Sequence, residues 1–205
     1  MKGLNLNGVT QFAHAVLKAP KLLVPHLSVK DINEIPFAKL QALGFKGVVF
    51  DKDNTLTVPY KHQIVDRVQG AVTECQTVFG YDRVVIFSNS AGSSEDAPLF
   101  TEARSIEEKL QIKVLCHGTK KPDGIDPLTS QMQVEPHELV MVGDRYSTDV
   151  LFGNSNGMLT IRTEQLSKEG ESVLNLTMQV IEKTILARIL ARGIVAPDHA
   201  LYKTE

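Results

Sequence analysis

The 205-residue sequence predicts an α/β fold in which helices cover both faces of a Rossmann-like parallel sheet of about five strands. Short apolar runs alternate along the chain with longer segments that have the apolar spacing of a helix. Within each run the apolar residues are consecutive, which is typical of parallel strands buried on both faces. Strands with one face in solvent would instead have an apolar residue at every second position. Hydrophobic residues make up 42% and charged residues 22% of the chain, as in a globular protein with one core.

The predicted strands are the five apolar runs at residues 48–50, 84–87, 114–115, 139–142 and 159–161. A helix is predicted between the first two, because apolar residues recur there every three or four positions: Ile64, Val68, Val72, Cys75 and Phe79. Two further helical patterns fall at residues 100–110 and 128–132. Alternation of strands and crossover helices predicts parallel pairing, and such sheets bind ligands beyond the carboxyl ends of their strands.

Three parts of the chain are expected: an N-terminal membrane-associating segment (1–43), a core domain (44–166), and a C-terminal amphipathic helix with a tail (167–205). The first part contains four lysines before its first acidic residue, Asp31. A helix ended by Pro20 would align its apolar residues on one stripe: Val9, Phe12, Ala13, Val16 and Leu17. Packing on the protein's own domain, an in-plane membrane anchor and a targeting segment all remain open.

A second basic amphipathic helix is predicted after Ser167. Its apolar residues recur at helical spacing: Leu174, Met178, Ile181, Ile185 and Ile189. Three cations lie nearby: Lys183, Arg188 and Arg192. Gly193 would end the helix. This helix is expected either to pack or self-associate, or to contact an anionic surface.

Charge and composition exclude several classes of protein. The 22 Lys and Arg residues against 24 Asp and Glu residues give a net charge of −2, which argues against a globally basic nucleic-acid binder. No run approaches the roughly 18 apolar residues of a membrane span, and no signal peptide begins the chain, so neither a membrane-spanning nor a secreted protein is expected. With only Cys75 and Cys116, the composition favours a reducing compartment over a disulfide framework.

Polar residues follow four of the predicted strands at their carboxyl ends. They are Asp51 and Asp53, then Ser88 and Asn89, then Lys120 and Lys121, and finally Asp144 and Asp149. Each group alone is consistent with a turn, a helix cap or a solvated surface. A parallel sheet brings such ends together at one edge, so the combination predicts a single site.

The residue types at this edge indicate phosphoryl transfer. Asp51 and Asp53 are separated by one residue on a turn, which is unfavourable unless a cation lies between them. Mg²⁺ suits this pair because it binds one or two carboxylates together with water and phosphate oxygens. Together with Ser88, Asn89, a lysine and a distal aspartate, they predict a Mg²⁺-assisted reaction through a covalent carboxyl phosphate.

Over residues 44–161 the chain resembles the haloacid dehalogenase superfamily of phosphohydrolases. The matching motifs are Asp51-Lys52-Asp53-Asn54-Thr55, Ser88 with Asn89, Lys121 before Pro122, and Gly143-Asp144 with Asp149. The resemblance implies that Asp51 is the nucleophile and that Asp53 is the general acid and then the base. It implies phosphate ligands at Ser88, Asn89 and Lys121. It places the metal ligands among Asp51, Asp53, Asp144 and Asp149, with Asp149 acting directly or from behind Asp144.

The motif spacing predicts that the fold has no cap domain. The interval from Asp53 to Ser88, and that from Ser88 to Lys121, each hold only one helix, one strand and their loops. In this superfamily a separate cap usually closes over small substrates. The resemblance therefore implies an open site for a phosphate carried by a lipid, a protein or a nucleic-acid end.

Residues 25–32 and 44–57 resemble the mitochondrial phosphatidylglycerophosphatase family and its bacterial relatives. This resemblance implies hydrolysis of phosphatidylglycerophosphate to phosphatidylglycerol in cardiolipin synthesis, by a peripheral protein on the matrix side of the inner mitochondrial membrane. The expected partners are an anionic phospholipid and a membrane surface, with no nucleic acid, and self-association remains open.

Three alternatives to a lipid phosphatase stay open. A phosphatase of proteins or nucleic-acid ends would share the same core, although the chain lacks tryptophan for base stacking. A small-molecule phosphatase of the bacterial cytoplasm would leave the N-terminal amphipathic helix unexplained. A non-catalytic membrane scaffold would not need the complete set of motif residues.

Overall fold

The computed structural model describes residues 6–89, 91–167, 169–170 and 172–203. Residues 1–5 of the predicted N-terminal segment and residues 204–205 of the tail lie outside the described residues. The strands form one parallel sheet in the order β1-β6-β5-β2-β3-β4. Their bounds are β1 (Leu27–Val29), β2 (Gly47–Phe50), β3 (Val84–Ile86), β4 (Lys113–Val114), β5 (Leu139–Gly143) and β6 (Leu159–Thr163).

The helices cover the sheet and its edges. Their bounds are α1 (Leu6–Lys18), α2 (Phe37–Ala42), α3 (Asp66–Phe79), α4 (Thr101–Leu110), α5 (Ile125–Met132), α6 (Leu151–Ser155) and α7 (Val173–Leu190). A π-helical turn, Tyr146–Val150, leads directly into α6. Short 3-10 helices occur at Pro20–Leu23, Ile32–Glu34, Tyr81–Arg83 and Pro136–Glu138.

The predicted parallel α/β fold is confirmed, and the five predicted strands correspond to β2–β6. The sequence did not predict β1, a three-residue strand that pairs with β6 at one edge of the sheet. The sheet therefore begins before residue 44. Ile32, Ile35 and Phe37, which follow β1, are also buried in the main core.

Side chains of the central strands alternate between two cores. In β2, Val48 faces the cluster that includes α3 and α4, and Val49 faces the cluster that includes α5 and α6. In β5, Val140 and Met141 divide in the same way. Since both faces are covered, neither face of these strands needs polar residues, which explains the uninterrupted apolar runs in the sequence.

A third cluster joins the two ends of the chain to the segment after β5. Its buried members include Phe12 and Ala15 from α1, Tyr146 and Val150 from the π-helical turn, and Leu186 and Ile189 from α7. The described parts of both amphipathic helices thus pack on their own domain. Among the described residues, no helix has the length and hydropathy to cross a bilayer.

The predicted stripe of α1 is divided between core and solvent. Phe12 is buried, whereas Val9, Ala13 and Leu17 are exposed along one line of the helix. The Leu17 residue is 78% exposed, which is unusual for a leucine in a helix packed on a core. This leaves an apolar strip on the outer side of α1.

The buried face of α7 follows the predicted stripe only in part: Ile189 is buried and Ile185 packs against the third cluster, as predicted. Gln179, Glu182 and Leu186 are buried, whereas Ile181 is exposed. The side chain of Leu174, another residue of the predicted stripe, lies outside the described part. At Glu182 the buried face carries a charged group, whose polar partners are described below.

No separate domain covers the edge of the sheet where the predicted site residues lie, within the described part of the chain. The described residues between the first and second motifs form a short turn with isolated bridges, α3 and β3, and residues 91–121 form α4 and β4. Neither described stretch makes a separate cap, in agreement with the sequence prediction.

Candidate active site

Two adjacent strands bring the predicted acidic residues together. Strand β2 pairs with β5, and the Asp51 N–H donates to the carbonyl oxygen of Val142 at 2.8 Å. Asp51 therefore leaves the sheet next to Asp144, which follows β5 directly. One carboxylate oxygen from each of Asp51, Asp144 and Asp149 lies within 4.8 Å of the other two.

Lys121 lies within this acidic cluster. Its Nζ donates to Oδ1 of Asp51 at 2.7 Å and to Oδ1 of Asp149 at 2.5 Å. The Lys121 side chain is 1% exposed. Its neighbour Lys120 instead pairs with Glu95 at 2.7 Å, in a more exposed position. Of the two lysines considered from the sequence, the structure places Lys121 beside the predicted nucleophile.

The charges in the cluster are not balanced by Lys121 alone. Burial raises the pKa of Asp51 to about 7, and the Asp149 and Asp53 carboxylates add to the rise against the opposing effect of Lys121. Burial also raises the pKa of Asp144 well above its usual value, with further contributions from Asp149 and Asp51. For Lys121, the attraction of its two carboxylates outweighs the effect of burial, and its pKa is raised.

The donor set fits a hard divalent cation. Two buried carboxylates and the mostly buried carboxylate of Asp51 share one ammonium, which leaves an excess of negative charge where desolvation is severe. Carboxylate oxygens are the protein ligands that Mg²⁺ prefers, and an open site leaves positions for water and a phosphate oxygen. Asp51, Asp144 and Asp149 are thus able to hold such an ion, directly or through water.

Gly143 explains why Asp149 reaches the cluster. A Cβ atom built on Gly143 would lie 2.4 Å from the Asp149 carboxylate carbon, so any larger residue would displace this side chain. The second carboxylate oxygen of Asp149 accepts the N–H of Arg145 at 3.1 Å. The Gly-Asp pair after β5 therefore provides both a carboxylate and the space for another.

Asp53 lies outside the three-carboxylate cluster. Its Oδ1 accepts a hydrogen bond from Lys52 Nζ at 2.5 Å and from the Tyr60 N–H at 3.0 Å. Lys52 is buried and also donates to the Thr57 hydroxyl and the Lys61 carbonyl oxygen. The structure thus places Asp53 on the same turn as Asp51 but holds its carboxylate with Lys52, and it does not group this carboxylate with the other predicted metal ligands.

The predicted phosphate-binding residues lie on the other side of Asp51. Ser88 and Asn89 follow β3, which pairs with β2, and the Phe87 N–H donates to the Phe50 carbonyl oxygen at 2.9 Å. Ser88 is buried. Oδ1 of Asn89 accepts the N–H of Lys121 at 2.7 Å, which ties the loop after β3 to the loop that carries the lysine.

Comparison with known proteins identifies the family. The family model described as mitochondrial PGP phosphatase matches residues 6–167. This chain belongs to that family. The phosphatidylglycerophosphate phosphatase 1 of Chlamydomonas reinhardtii is 39% identical over 201 residues, covering 98% of this chain and 74% of the relative. The resemblance inferred from the sequence motifs is confirmed.

Two further relatives support the assignment. The chloroplastic/mitochondrial phosphatidylglycerophosphate phosphatase 1 of Arabidopsis thaliana is 40% identical over 204 residues, or 97% of this chain. The chain spans 57% of that relative's length. The mitochondrial phosphatidylglycerophosphatase of Saccharomyces cerevisiae is 32% identical over 160 residues, covering 75% of this chain and 84% of the relative.

In this PGP phosphatase family member, Glu182 of α7 holds the loop that carries two of the site carboxylates. The sequence analysis did not predict this role. Its buried carboxylate accepts hydrogen bonds from the Arg145 guanidinium at 2.6 Å and from the Ser147 hydroxyl at 2.6 Å. It also accepts the backbone N–H of Tyr146 at 3.1 Å. The loop between Asp144 and Asp149 is therefore fastened to the C-terminal helix.

Lys52 and Gln165 are further contributors that sequence reasoning missed. The Gln165 side-chain amide donates to Oδ2 of Asp144 at 3.2 Å. The available signal for Lys52 was the position of a cation between Asp51 and Asp53 in the first motif. No comparable local signal existed for Glu182, whose main partner Arg145 is 37 residues away.

Proposed function

We propose that this protein is a Mg²⁺-dependent phosphatase that hydrolyses phosphatidylglycerophosphate to phosphatidylglycerol and inorganic phosphate, as a step of cardiolipin synthesis. The observation that carries this proposal is the contact of the mostly buried Asp51 with Lys121, beside two more carboxylates, at an open sheet edge in a member of the PGP phosphatase family. The names of the relatives supply the substrate.

The first step is attack by a carboxylate oxygen of Asp51 on the terminal phosphorus. A bond forms between this oxygen and phosphorus while the ester bond to the glycerol oxygen breaks, and that oxygen takes a proton from Asp53. Lys121 orients Asp51 and balances charge on the phosphoryl oxygens. The groups after β3, Ser88 and Asn89, hold the same oxygens by hydrogen bonds. Bound Mg²⁺ would supply charge neutralisation between the carboxylates and the phosphate.

The second step is hydrolysis of the aspartyl phosphate. Water gives a proton to Asp53, its oxygen forms a bond with phosphorus, and the bond from phosphorus to Asp51 breaks. Lys52 is placed to steady Asp53 through both steps, since its Nζ lies 2.5 Å from Oδ1 of Asp53.

Phosphate release from defined substrates tests the activity. We expect phosphatidylglycerophosphate in mixed micelles to have a higher kcat/KM than a soluble aryl phosphate or a phosphopeptide. Chelation of divalent ions should lower turnover of every substrate by at least about 100-fold, because the three carboxylates then repel the phosphate. Activity that persists in chelator would contradict the metal assignment, and a preference for the phosphopeptide would favour a protein phosphatase.

We also propose that the outer strip of α1 docks on an anionic membrane. Helix α1 lies beside the catalytic edge, because Gln11 Nε2 donates to Asp123 Oδ1 at 3.0 Å, two residues after Lys121. Its strip of exposed apolar residues is flanked by exposed Lys18 and Lys21. Apolar insertion with basic flanks is typical of in-plane helices, and it would bring the open site to the lipid headgroups.

Localisation follows the same reasoning. The relatives from Saccharomyces cerevisiae and Schizosaccharomyces pombe are named mitochondrial. We place this protein in the mitochondrion, with the matrix side of the inner membrane as the proposed surface. A Bacillus subtilis relative, a probable phosphatase 28% identical over 175 residues, keeps a bacterial cytoplasmic setting as the alternative.

Vesicle binding tests the membrane surface. Leu17→Glu should weaken binding to phosphatidylglycerol-containing vesicles by about tenfold, because it removes apolar contact and adds like charge. Leu43→Glu is the matched control, an exposed leucine that precedes β2 and so lies at the opposite end of the strands. Flotation at low and high salt provides the measurement. Equal loss in both variants, or equal binding to neutral vesicles, would refute electrostatic docking through α1.

A further inference from the structure

His117 is a buried histidine between the two loops that carry the predicted phosphate-binding residues. It lies on the loop after β4, in the same loop as Lys121, and is 4% exposed. It belongs neither to the three-carboxylate cluster nor to the pair of Lys52 and Asp53. Burial of an imidazole is unfavourable unless its nitrogens have partners, so the contacts of this ring indicate why it is buried.

Both ring nitrogens of His117 face backbone carbonyl oxygens. Nε2 lies 2.9 Å from the carbonyl oxygen of Ser88, on the loop after β3, and Nδ1 lies 2.7 Å from that of Thr119, on its own loop. A carbonyl oxygen only accepts hydrogen bonds, so the ring is the donor. Burial lowers the pKa of His117, which opposes the imidazolium, but the neutral tautomer with its proton on Nε2 still donates to Ser88. The ring therefore connects the two loops.

Further contacts bring the same two loops together around this ring. The His117 N–H donates to the Gly92 carbonyl oxygen at 2.6 Å, and the Lys121 N–H donates to Oδ1 of Asn89 at 2.7 Å. Gly92 has a φ of +75°, and a Cβ atom built on it would clash with the carbonyl oxygen of Leu115, so only glycine allows this approach. These contacts hold the two loops against each other, with the imidazole between them.

The ring of His117 also packs against Phe87, the residue before Ser88. The centroids of the two rings are 4.7 Å apart and their planes meet at 66°, which is an edge-to-face contact. Lys121 Nζ lies 5.4 Å from the centroid of the same Phe87 ring. Phe87 thus joins the packing of His117 to that of Lys121, and it leads directly into Ser88.

We propose that His117 is a positioning residue that fixes the peptide between Ser88 and Asn89, the two residues that hold the phosphoryl oxygens. This inference rests on the proposed function. Because a trans peptide is planar, a contact at the Ser88 carbonyl also fixes the direction of the Asn89 N–H, which points the opposite way. The phosphoryl oxygens need these groups both before and during the reaction, so loosening the peptide raises KM more than it lowers kcat.

Three substitutions separate the two contacts of the ring. His117→Gln keeps an amide N–H near the position of Nε2, which reaches Ser88, and His117→Asn keeps one near the position of Nδ1, which reaches Thr119. His117→Ala keeps neither. With a soluble aryl phosphate and Mg²⁺, His117→Ala and His117→Asn should raise KM and the inhibition constant of inorganic phosphate by about 10-fold or more, with kcat lowered by less than about threefold. His117→Gln should recover most of this loss.

His26→Ala is the matched control for lost stability. His26 is another buried histidine with contacts at both ring nitrogens, and it lies near the start of β6, beside Thr160, at the opposite end of the strands. A smaller folded fraction lowers the apparent kcat but changes neither KM nor the inhibition constant of phosphate. His26→Ala should therefore lower the Tm and keep both wild-type constants.

A KM in His117→Ala within about twofold of the wild-type value overturns the positioning role. So does a His117→Gln variant that binds phosphate no better than His117→Asn, since the Ser88 contact would then have no special effect. An equal rise of KM in His26→Ala would show a general effect of a disturbed core and overturns the role as well. A wild type with no Mg²⁺-dependent phosphatase activity overturns it together with the proposed function, whereas the other outcomes leave that function in place.

Discussion

Replacing Asp51 with asparagine is expected to lower phosphate release by at least about 1,000-fold. Asparagine keeps the size and most contacts of the side chain but has no carboxylate oxygen that can form the acyl phosphate. The residue is mostly buried and lies 2.7 Å from Lys121, so the substitution acts on the reacting atom and not on a solvated surface. A steady-state assay on phosphatidylglycerophosphate, with Mg²⁺ present, provides the measurement.

The same substitution should not destabilise the protein. Burial and nearby carboxylates raise the pKa of Asp51, so loss of its charge relieves repulsion within the cluster. Lys121 keeps its partner Asp149. We therefore expect the Tm of Asp51→Asn to be unchanged or raised in the absence of metal. Asp126→Asn, a substitution of an exposed aspartate, is the matched control and should keep wild-type activity.

Trapping the covalent intermediate shows whether Asp51 is the nucleophile or only a metal ligand. Rapid acid quenching of the wild type with radiolabelled substrate should give a hydroxylamine-sensitive label, and Asp51→Asn should give none. An Asp51→Asn variant that retained more than about 0.1% of the activity, or that still formed the label, would show that another residue attacks phosphorus.

The central strands β2, β3 and β5 could be predicted because both of their faces are covered, and their sequences then have no polar interruption. Val48 and Val49, which face different cores, are both apolar for this reason. Strand β1 has only three residues and lies at an edge, with Ser28 exposed between two partly buried neighbours. A pattern of that length also occurs in loops, so the sequence alone did not distinguish it.

The part of the site that follows from strand order could be predicted, because a parallel sheet brings the carboxyl ends of its strands together at one edge. Asp51 and Asp144 meet because β2 and β5 are neighbours in the sheet. Glu182 could not be found in this way, since a buried charge on a helix is favourable only with a partner that the chain brings from elsewhere. In the sequence, the apolar spacing placed Ile181 on the buried face, whereas in the structure Ile181 is exposed and Glu182 is buried in an ion pair with Arg145.

Replacing Lys121 with methionine is expected to produce the largest loss of stability. Methionine has a similar length and is apolar, so the packing volume is retained while Asp51 and Asp149 lose their shared ammonium. Removing one partner from a buried ion pair lowers the free energy of unfolding by about 3–5 kcal/mol. For a chain of this size this corresponds to a fall in Tm of about 6–20 °C.

Lys120→Met is the natural control for this loss. Lys120 is adjacent in sequence, and its pair with Glu95 lies at the surface, where such pairs contribute about 0–1 kcal/mol. Calorimetry without metal should give a large decrease in Tm for Lys121→Met and little change for Lys120→Met. Similar values for the two variants would refute the assignment of Lys121 to the acidic cluster.

A double variant tests whether the loss comes from unpaired charge. Asp149→Asn removes one carboxylate from the cluster and should recover part of the stability lost in Lys121→Met, so that the two effects are not additive. Strict additivity would mean that Lys121 stabilises the fold by packing alone. The pairing of the Lys121 ammonium with Asp51 and Asp149 would then contribute nothing to stability, and the role of Lys121 would be its contact with Asp51 and the phosphate.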